Sequence, residues 1–358
     1  MLLRILKQIT SELRLRNRPS SAALASIRSA FDAGDLQSAE QAVETVLAAD
    51  PAQARALFYR GLIDFRRRNF ASALAAFRGA ASSAPENPDY QYQMGACCYM
   101  LGDFAQARIF CETALKLRPD YVLGHSLLAQ LALPGARYTD VLAGIHRRLA
   151  PRTYLEIGVA TGATIALAGK DTAAIGVDPD PKIDKPLGSN VRIYPLTSDE
   201  FFGQHDVARE FGGQPVDFAF IDGMHHFEFA LRDFIAIERY CTSRSIILLH
   251  DTYPLNRRTA ERNRVTTFWS GDIWRLVLAL KKYRSDLSLH TIGAAPTGLT
   301  MVRRLDPGSR VLTDRMDEII SEFLAIDYSA IDADKPGTLN LFPNDWPQIE
   351  SLLANAGK

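Results

Sequence analysis

The sequence predicts two architectures in series: an all-helical repeat solenoid over the first third, then a doubly wound α/β domain on a seven-stranded sheet. Three observations carry this. Small and apolar residues recur every 34 positions between residues 34 and 119. From residue 153 onward, short apolar runs alternate with amphipathic stretches, the pattern of a mostly parallel sheet. The second domain also collects its glycines and acids where those apolar runs end, which is where such sheets bind ligands.

The chain has 358 residues, room for two or three cores, and its 41 basic and 41 acidic residues cancel. That balance gives no field to recruit nucleic acid. Cys97, Cys98, Cys111 and Cys241 form no Cys-x-x-Cys pair, so buried reduced thiols and a cytoplasmic setting are expected. No run of about 20 apolar residues is present to span a bilayer.

Residues 1–19 read as a basic amphipathic helix: Leu2, Leu3, Ile5, Leu6 and Ile9 interleave with Arg4, Lys7, Arg14 and Arg16. Such a helix can lie on a membrane surface, but the expectation here is that it packs on protein.

Between residues 20 and 133 several columns keep one register. Pro51, Pro85 and Pro119 are 34 residues apart, as are Ala39, Ala73 and Ala107, and Leu36, Phe70 and Phe104. Gly61 and Gly95 hold the same step. Small residues let paired helices approach closely, and each proline ends a unit because it cannot continue a helix. Leu36, Phe70 and Phe104 are expected between the helices, Arg66, Arg67 and Arg68 at a solvated helix end. "VLGHSLLAQLAL" after Pro119 reads as a capping helix. This region resembles the tetratricopeptide repeat family. The resemblance implies a concave surface for a peptide, a partner protein or a second copy of the chain; the alternative is a spacer.

"ARYTDVLAGIHRRLAP" reads as a helix ending at Pro151. Seven strands follow: "TYLEIGV", "AAIGVDP", "VRIYPL", "VDFAFID", "SIILLHD", "LSLHTIG" and "GLTMVRR". Helices are expected near residues 164–170, 199–211, 226–240 and 273–283. The last two strands, joined by "AAPT", suit an antiparallel edge hairpin. The domain is bounded at 134–306, with 307–358 as an extension without an assigned role.

The first strand ends in "EIGVATGATIALAG", where Gly158 and Gly162 allow a tight turn and Glu156 brings a carboxylate. Ala160 takes the slot where a dinucleotide loop has its middle glycine. The second strand ends in Asp178, 20 residues after Gly158, where an acid can take ribose hydroxyls. The third is followed by Ser198 and Asp199. The fourth ends in Asp222–Gly223, with His225 and His226 next, and the fifth in His250–Asp251. Neighbouring parallel strands end about 5 Å apart, so Asp222, His250 and Asp251 should meet, with His225 above them.

These motifs together resemble Rossmann-like class I S-adenosylmethionine-dependent methyltransferases over residues 153–304. "FIDGMHHFEFALRDF" with "ILLHDT" is similar to a subgroup whose fourth strand runs I-D-G-x-H-x-[YF]-E and whose fifth ends in H-D. The resemblance implies that Glu156 faces the methionine amino group, and that Gly158, Ala160 and Gly162 line the cofactor. It further implies Asp178 on the ribose and Ser198 and Asp199 near adenine, with Asp222 a further cofactor contact at the mouth of the cleft. It also implies transfer to an oxygen of a sugar or other small polar acceptor. A hydroxyl must lose its proton as it attacks, which Asp222, His225 or His250 can accept. Asp222, His250 and Asp251 could alternatively hold a divalent cation, magnesium or manganese. His226, Glu228 and Asp233 are expected at the helix surface. A competing reading is an adaptor whose methyltransferase-like domain no longer turns over; another is a different nucleotide-using enzyme.

Beyond the fifth strand, residues 252–277 form an insertion rich in Arg257, Arg258, Arg262, Arg264, Trp269 and Trp274. It sits where this fold grows a substrate lid, and such residues suit a sugar, a phosphate or a carboxylate; the alternative is a plain loop with solvated charges.

Overall fold

A computed structural model of the protein describes residues 22–354; the predicted N-terminal helix lies outside the described residues. The chain divides into two compact units at Leu128/Ala129, inside the helix Val122–Ala132.

The first unit is a series of paired helices: Ala22–Asp32 with Leu36–Ala49, Ala54–Arg66 with Phe70–Ser83, and Pro88–Met100 with Phe104–Leu117. Side chains of Asp35, Gln53, Asn87 and Asp103 cap the helices they precede. Ala39, Ala73 and Ala107 are fully buried, and a Cβ on Gly61 would strike the Phe77 ring at 2.5 Å. The column that fills the space between helices is Val43, Phe77 and Cys111, buried at the same 34-residue step. Leu36 and Phe70 are half-buried against this core, as expected, and Phe70 meets Phe65 of the preceding helix. Phe104 does less: it meets Tyr99 of the preceding helix yet stays 57% exposed. The arginine triplet is not a solvated end throughout. Arg66 lies 3.7 Å over the Phe31 ring and donates to its carbonyl, and Arg67 pairs with Glu40. All four cysteines are free and buried, and burial pushes the Cys111 thiol up to about 12.

The second unit is built on a sheet of strands β1 (Thr153–Ile157), β2 (Ala173–Val177), β3 (Val191–Tyr194), β4 (Phe218–Ile221), β5 (Ile246–His250), β6 (Ser288–Ile292), β7 (Leu299–Arg303) and β8 (Leu341–Phe342). Their order is β3-β2-β1-β4-β5-β7-β6-β8. The first five run parallel, and β7 lies antiparallel between β5 and β6. The seven predicted strands are present; β8 is a two-residue addition beside β6. Strand order reverses between β1 and β4, the switch point of a doubly wound sheet.

β1, β4 and β5 are buried along their whole length, as expected for strands covered on both faces. Helices Phe227–Glu238, Trp274–Tyr283 and Met316–Leu324 pack on one face. The helix Tyr138–Leu149 and the closing helix Trp346–Ala354 pack on the other. The C-terminal segment is therefore part of the core: the Trp346 ring sits where a Cβ on Gly144 would be 2.5 Å away. Two helices are shorter than expected. The region near 164–170 keeps one three-residue turn, Ile165–Leu167. That near 199–211 splits into Ser198–Gln204 and Val207–Glu210, because Asp206 caps a second start. Among the described residues no helix is long and apolar enough to cross a membrane.

His146 is buried between the rings of Tyr154 (4.5 Å) and Phe218 (5.0 Å), and neither of its nitrogens has a hydrogen-bond partner. Burial pushes its imidazole down to about 4. The folded value lies below the unfolded one, so stability is full above about pH 6.5 and falls as the unfolded chain takes up the proton. Between pH 7 and pH 5 this group should cost about 2 kcal/mol. His146→Phe should flatten that slope in urea titrations at the two pH values; an unchanged slope would exclude His146 as its source.

Candidate functional site

The site forms where β1, β4 and β5 end, and its geometry begins with register. Ile221 pairs with Leu249, so the next residues, Asp222 and His250, stand side by side. The Asp222 amide donates to the Ile157 carbonyl at 2.8 Å, which brings the first loop beside the fourth strand's end.

Four side chains converge there. His250 Nδ1 lies 2.9 Å from Asp222 Oδ1 and 3.3 Å from Asp251 Oδ2. His225 Nε2 lies 3.1 Å from Asp251 Oδ2 and 3.7 Å from Asp222 Oδ1. His225 Nδ1 faces the Trp269 carbonyl at 3.2 Å, a partner that only accepts, so Nδ1 carries a hydrogen. Nε2 is thereby turned toward the two carboxylates. Burial alone would lower the His250 imidazole, but Asp222 and Asp251 outweigh it and hold it well above its ordinary value. Burial would raise Asp251; His225 and His250 instead bring it down to about 2. Asp251 Oδ2 is buried without a well-formed hydrogen bond, and Asp251 has a left-handed backbone at φ +59°.

Above this cluster lies a cavity of about 360 Å³, within the range of small-molecule sites. The loop from Gly158 to Thr164 lines one side, and Tyr138, Pro296 and Thr297 line another. Thr267, Phe268 and Trp269 of the insertion complete the wall. Among the described residues that wall carries no lysine or arginine. Three of the insertion's arginines are engaged elsewhere: Arg257 with Asp327, Arg262 with Glu228 and Asp272, Arg264 with the carbonyls of Thr266 and Thr267.

Of the residues predicted from sequence, Gly158, Ala160, Asp222, His225, His250 and Asp251 line the cavity. Asp178 stands behind the loop, its Oδ2 accepting from the amides of Val159 (2.9 Å) and Ala160 (2.8 Å). Those amides are thus taken within the chain. What distinguishes Ala160 is conformation and not bulk: its φ is +46°, a region glycine favours, and the Asp178 carboxylate offsets the cost. Gly162 also has positive φ, facing Ile183.

Glu156 stands outside the cavity wall. It is fully buried, accepting from the Tyr154 hydroxyl (2.6 Å) and the Thr164 hydroxyl (2.7 Å). Burial pushes its carboxyl up to about 8, with both hydroxyls holding it back. Ser198 and Asp199 also stand outside the wall. Ser198 bonds to buried Asp233, whose carboxyl burial raises to about 7, and Asp199 pairs with Arg232 at 2.6 Å. Asp233 is therefore not at the surface. His226 and Glu228 are half-buried under the insertion: His226 Nε2 meets the Arg262 carbonyl at 3.1 Å, and Glu228 takes the Arg262 guanidinium.

Sequence reasoning missed Tyr138, whose ring packs 4.2 Å from His250, and Thr297, 3.4 Å from His250 Nε2. Only their places, at a helix start and in a hairpin turn, were visible. The insertion is also moored by the C-terminal segment. Asp327 takes Arg257 through two bonds of 2.7 and 2.9 Å, and Lys335 donates to the carbonyls of Pro254 (2.9 Å) and Leu255 (3.1 Å).

Residues 155–252 match a family model described as a methyltransferase domain. Residues 24–88 and 64–131 match models described as tetratricopeptide repeats. The chain is 33% identical over 89 residues to TPR repeat-containing thioredoxin TTL4 of Arabidopsis thaliana. That match covers 25% of this chain and 13% of the relative, so this chain spans a small part of that protein. Among solved structures, the first TPR of Spaghetti (RPAP3) bound to an HSP90 peptide is 20% identical, with a TM-score of 0.30 over 30% of this chain and 86% of that one. An O-GlcNAc transferase mutant of Thermobaculum terrenum is 21% identical, with a TM-score of 0.31 over 56% and 45%.

Proposed function

We propose, for a chain that carries tetratricopeptide repeats followed by a methyltransferase domain, that it methylates an oxygen of a sugar or other small polar acceptor. The observation that carries this is the pairing of Asp222 with His250 at the floor of a cavity bordered by the Gly158 loop. S-adenosylmethionine, when bound, supplies a methyl group on a positively charged sulfur. An acidic cavity wall without lysine or arginine suits that charge.

Asp222 is the proton acceptor. Its Oδ1 is held by His250, and Oδ2 takes the proton that the acceptor hydroxyl loses as its oxygen attacks. His250, kept charged by its two carboxylates, fixes Oδ1 and so orients Oδ2. His225 holds the acceptor hydroxyl beside that carboxylate. Gly158, Ala160 and Gly162 border the cofactor, and Asp178 keeps their loop in shape. The Trp269 and Phe268 rings offer apolar faces to an acceptor ring. The repeats recruit a protein or peptide partner, and the free thiols suit a reducing compartment such as the cytoplasm. Calorimetry with S-adenosylmethionine tests the reading at its base: no binding at millimolar concentration would sink it.

A second reading has its own observation. One ligand atom each from Asp222, His250 and Asp251 lie within 4.8 Å of one another, and Asp251 is buried. Two carboxylates and an imidazole suit manganese better than magnesium. The group would fix and acidify an acceptor hydroxyl there. On this reading, dialysis against a chelator should lower methyl transfer at least about tenfold and manganese should restore it. Full activity after chelation would leave the carboxylate mechanism alone.

A further inference from the structure

Residues 259–270 form a compact loop closed at its neck. Ser270 donates to the Thr259 carbonyl through both its amide (3.0 Å) and its hydroxyl (2.9 Å). The loop is filled by its own side chains: Trp269 Nε1 donates to the Glu261 carbonyl (2.6 Å), and the Thr266 hydroxyl to that of Phe268 (2.6 Å). A self-packed loop of this length with joined ends is an Ω-loop.

This loop meets the residues that open the helix Phe227–Glu238 along a continuous seam. The Trp269 ring stacks on His225 at 5.2 Å and 20°, and its carbonyl takes His225 Nδ1. The Arg262 carbonyl meets His226 Nε2. Asp272, just past the loop, bonds on both sides of the histidine pair: its amide donates to the His225 carbonyl (3.2 Å), and its Oδ1 accepts from the Phe227 amide (2.7 Å). Arg262 supplies the charge at this seam. Its guanidinium grips both oxygens of Glu228 and reaches Asp272 Oδ2 at 3.2 Å. Asp272 is fully buried and keeps Arg275 at 2.8 Å, whereas half-buried Glu228 has Arg262 as its charged partner, so removing the arginine leaves the Glu228 carboxylate under-paired.

We propose that Arg262 is a positioning residue: it fastens the 259–270 loop to the helix after β4, and so fixes the Trp269 ring and carbonyl that aim His225 at Asp251 and Asp222. The second half of "DGMHHFE" is then a latch, with His226 and Glu228 as its fixed side. This rests on the reading of His225 as a group that holds the acceptor.

The test uses the full-length protein without cofactor. Arg262→Gln should raise amide hydrogen exchange across residues 260–270 at least about tenfold, leaving β4 and β5 unchanged. It should also increase acrylamide quenching of Trp269, read against a Trp269→Phe control. The ring nitrogen resonances of His225, assigned by their loss in His225→Gln, should move. Arg262→Lys should recover part of each change, since it keeps a charge but not the fork. Unchanged exchange, quenching and His225 resonances would overturn the proposal. Should Arg262→Gln not fold, Glu228→Gln breaks the same contact from the helix and carries the same expectations. A protein that loosens in this way yet never binds S-adenosylmethionine would defeat the proposed methyl transfer and leave the fastening in place. Cofactor binding with an unmoved loop would do the reverse.

Discussion

Asp222→Asn should lower the rate of methyl transfer by about 10²–10⁴-fold, the range for losing a positioned acid or base. The amide matches the carboxylate in shape and keeps an oxygen for His250 Nδ1, so the fold around β4 should survive. What it loses is the ability to accept the proton an acceptor hydroxyl must shed. Labelled methyl transfer from S-adenosylmethionine to a hydroxylated acceptor is the measurement, with melting temperature as the control for folding. Transfer at the unmodified rate would remove Asp222 from the reaction.

The second large effect is expected at Gly158. Its φ is +87°, and a Cβ there would fall 2.1 Å from the Asp222 carbonyl oxygen and 2.4 Å from its carbon. Both obstacles are backbone, so no rotamer change relieves them. Gly158→Ala should destabilise the second unit by about 2–4 kcal/mol through overpacking and backbone strain together. It should also weaken cofactor binding at least about 100-fold, because the loop and the Asp222 strand end can no longer approach. Thermal unfolding and calorimetry read the two effects separately. Unaltered melting and binding would mean that the close approach of these two segments is dispensable.

Much of the fold was legible because it repeats or alternates. The 34-residue step and the run of strands are local signals, and the strand ends that carry Asp222, His250 and Asp251 followed from parallel pairing alone. One member of the Leu36, Phe70 and Phe104 column departs: Phe104 looked like core by its register, yet it stays exposed at the last paired helix. β8 gave no signal, being two residues between Asn340 and Pro343. At the site, partners distant in sequence were the hidden part. His226 and Glu228 looked like helix surface because their partner, Arg262, lies 36 and 34 residues away. At Ala160, which takes a glycine slot, the deciding quantity is a dihedral angle that the sequence does not display. Glu156, Ser198 and Asp199 were read from a motif; their bonds to Tyr154, Thr164, Asp233 and Arg232 depend on packing that a motif does not record.

The mooring of the insertion by the C-terminal segment bears on when the site can first exist. Arg257 waits for Asp327, 70 residues downstream, and Pro254 for the Lys335 ammonium, 81 residues downstream. At about 5–20 residues per second, a ribosome needs roughly 4–16 seconds to make that stretch. During that interval the repeats and the five parallel strands have been synthesised, and the wall over the cavity is held through the Arg262 seam but lacks its C-terminal mooring. A nascent chain would thus complete its repeats well before the cavity wall gains its second mooring.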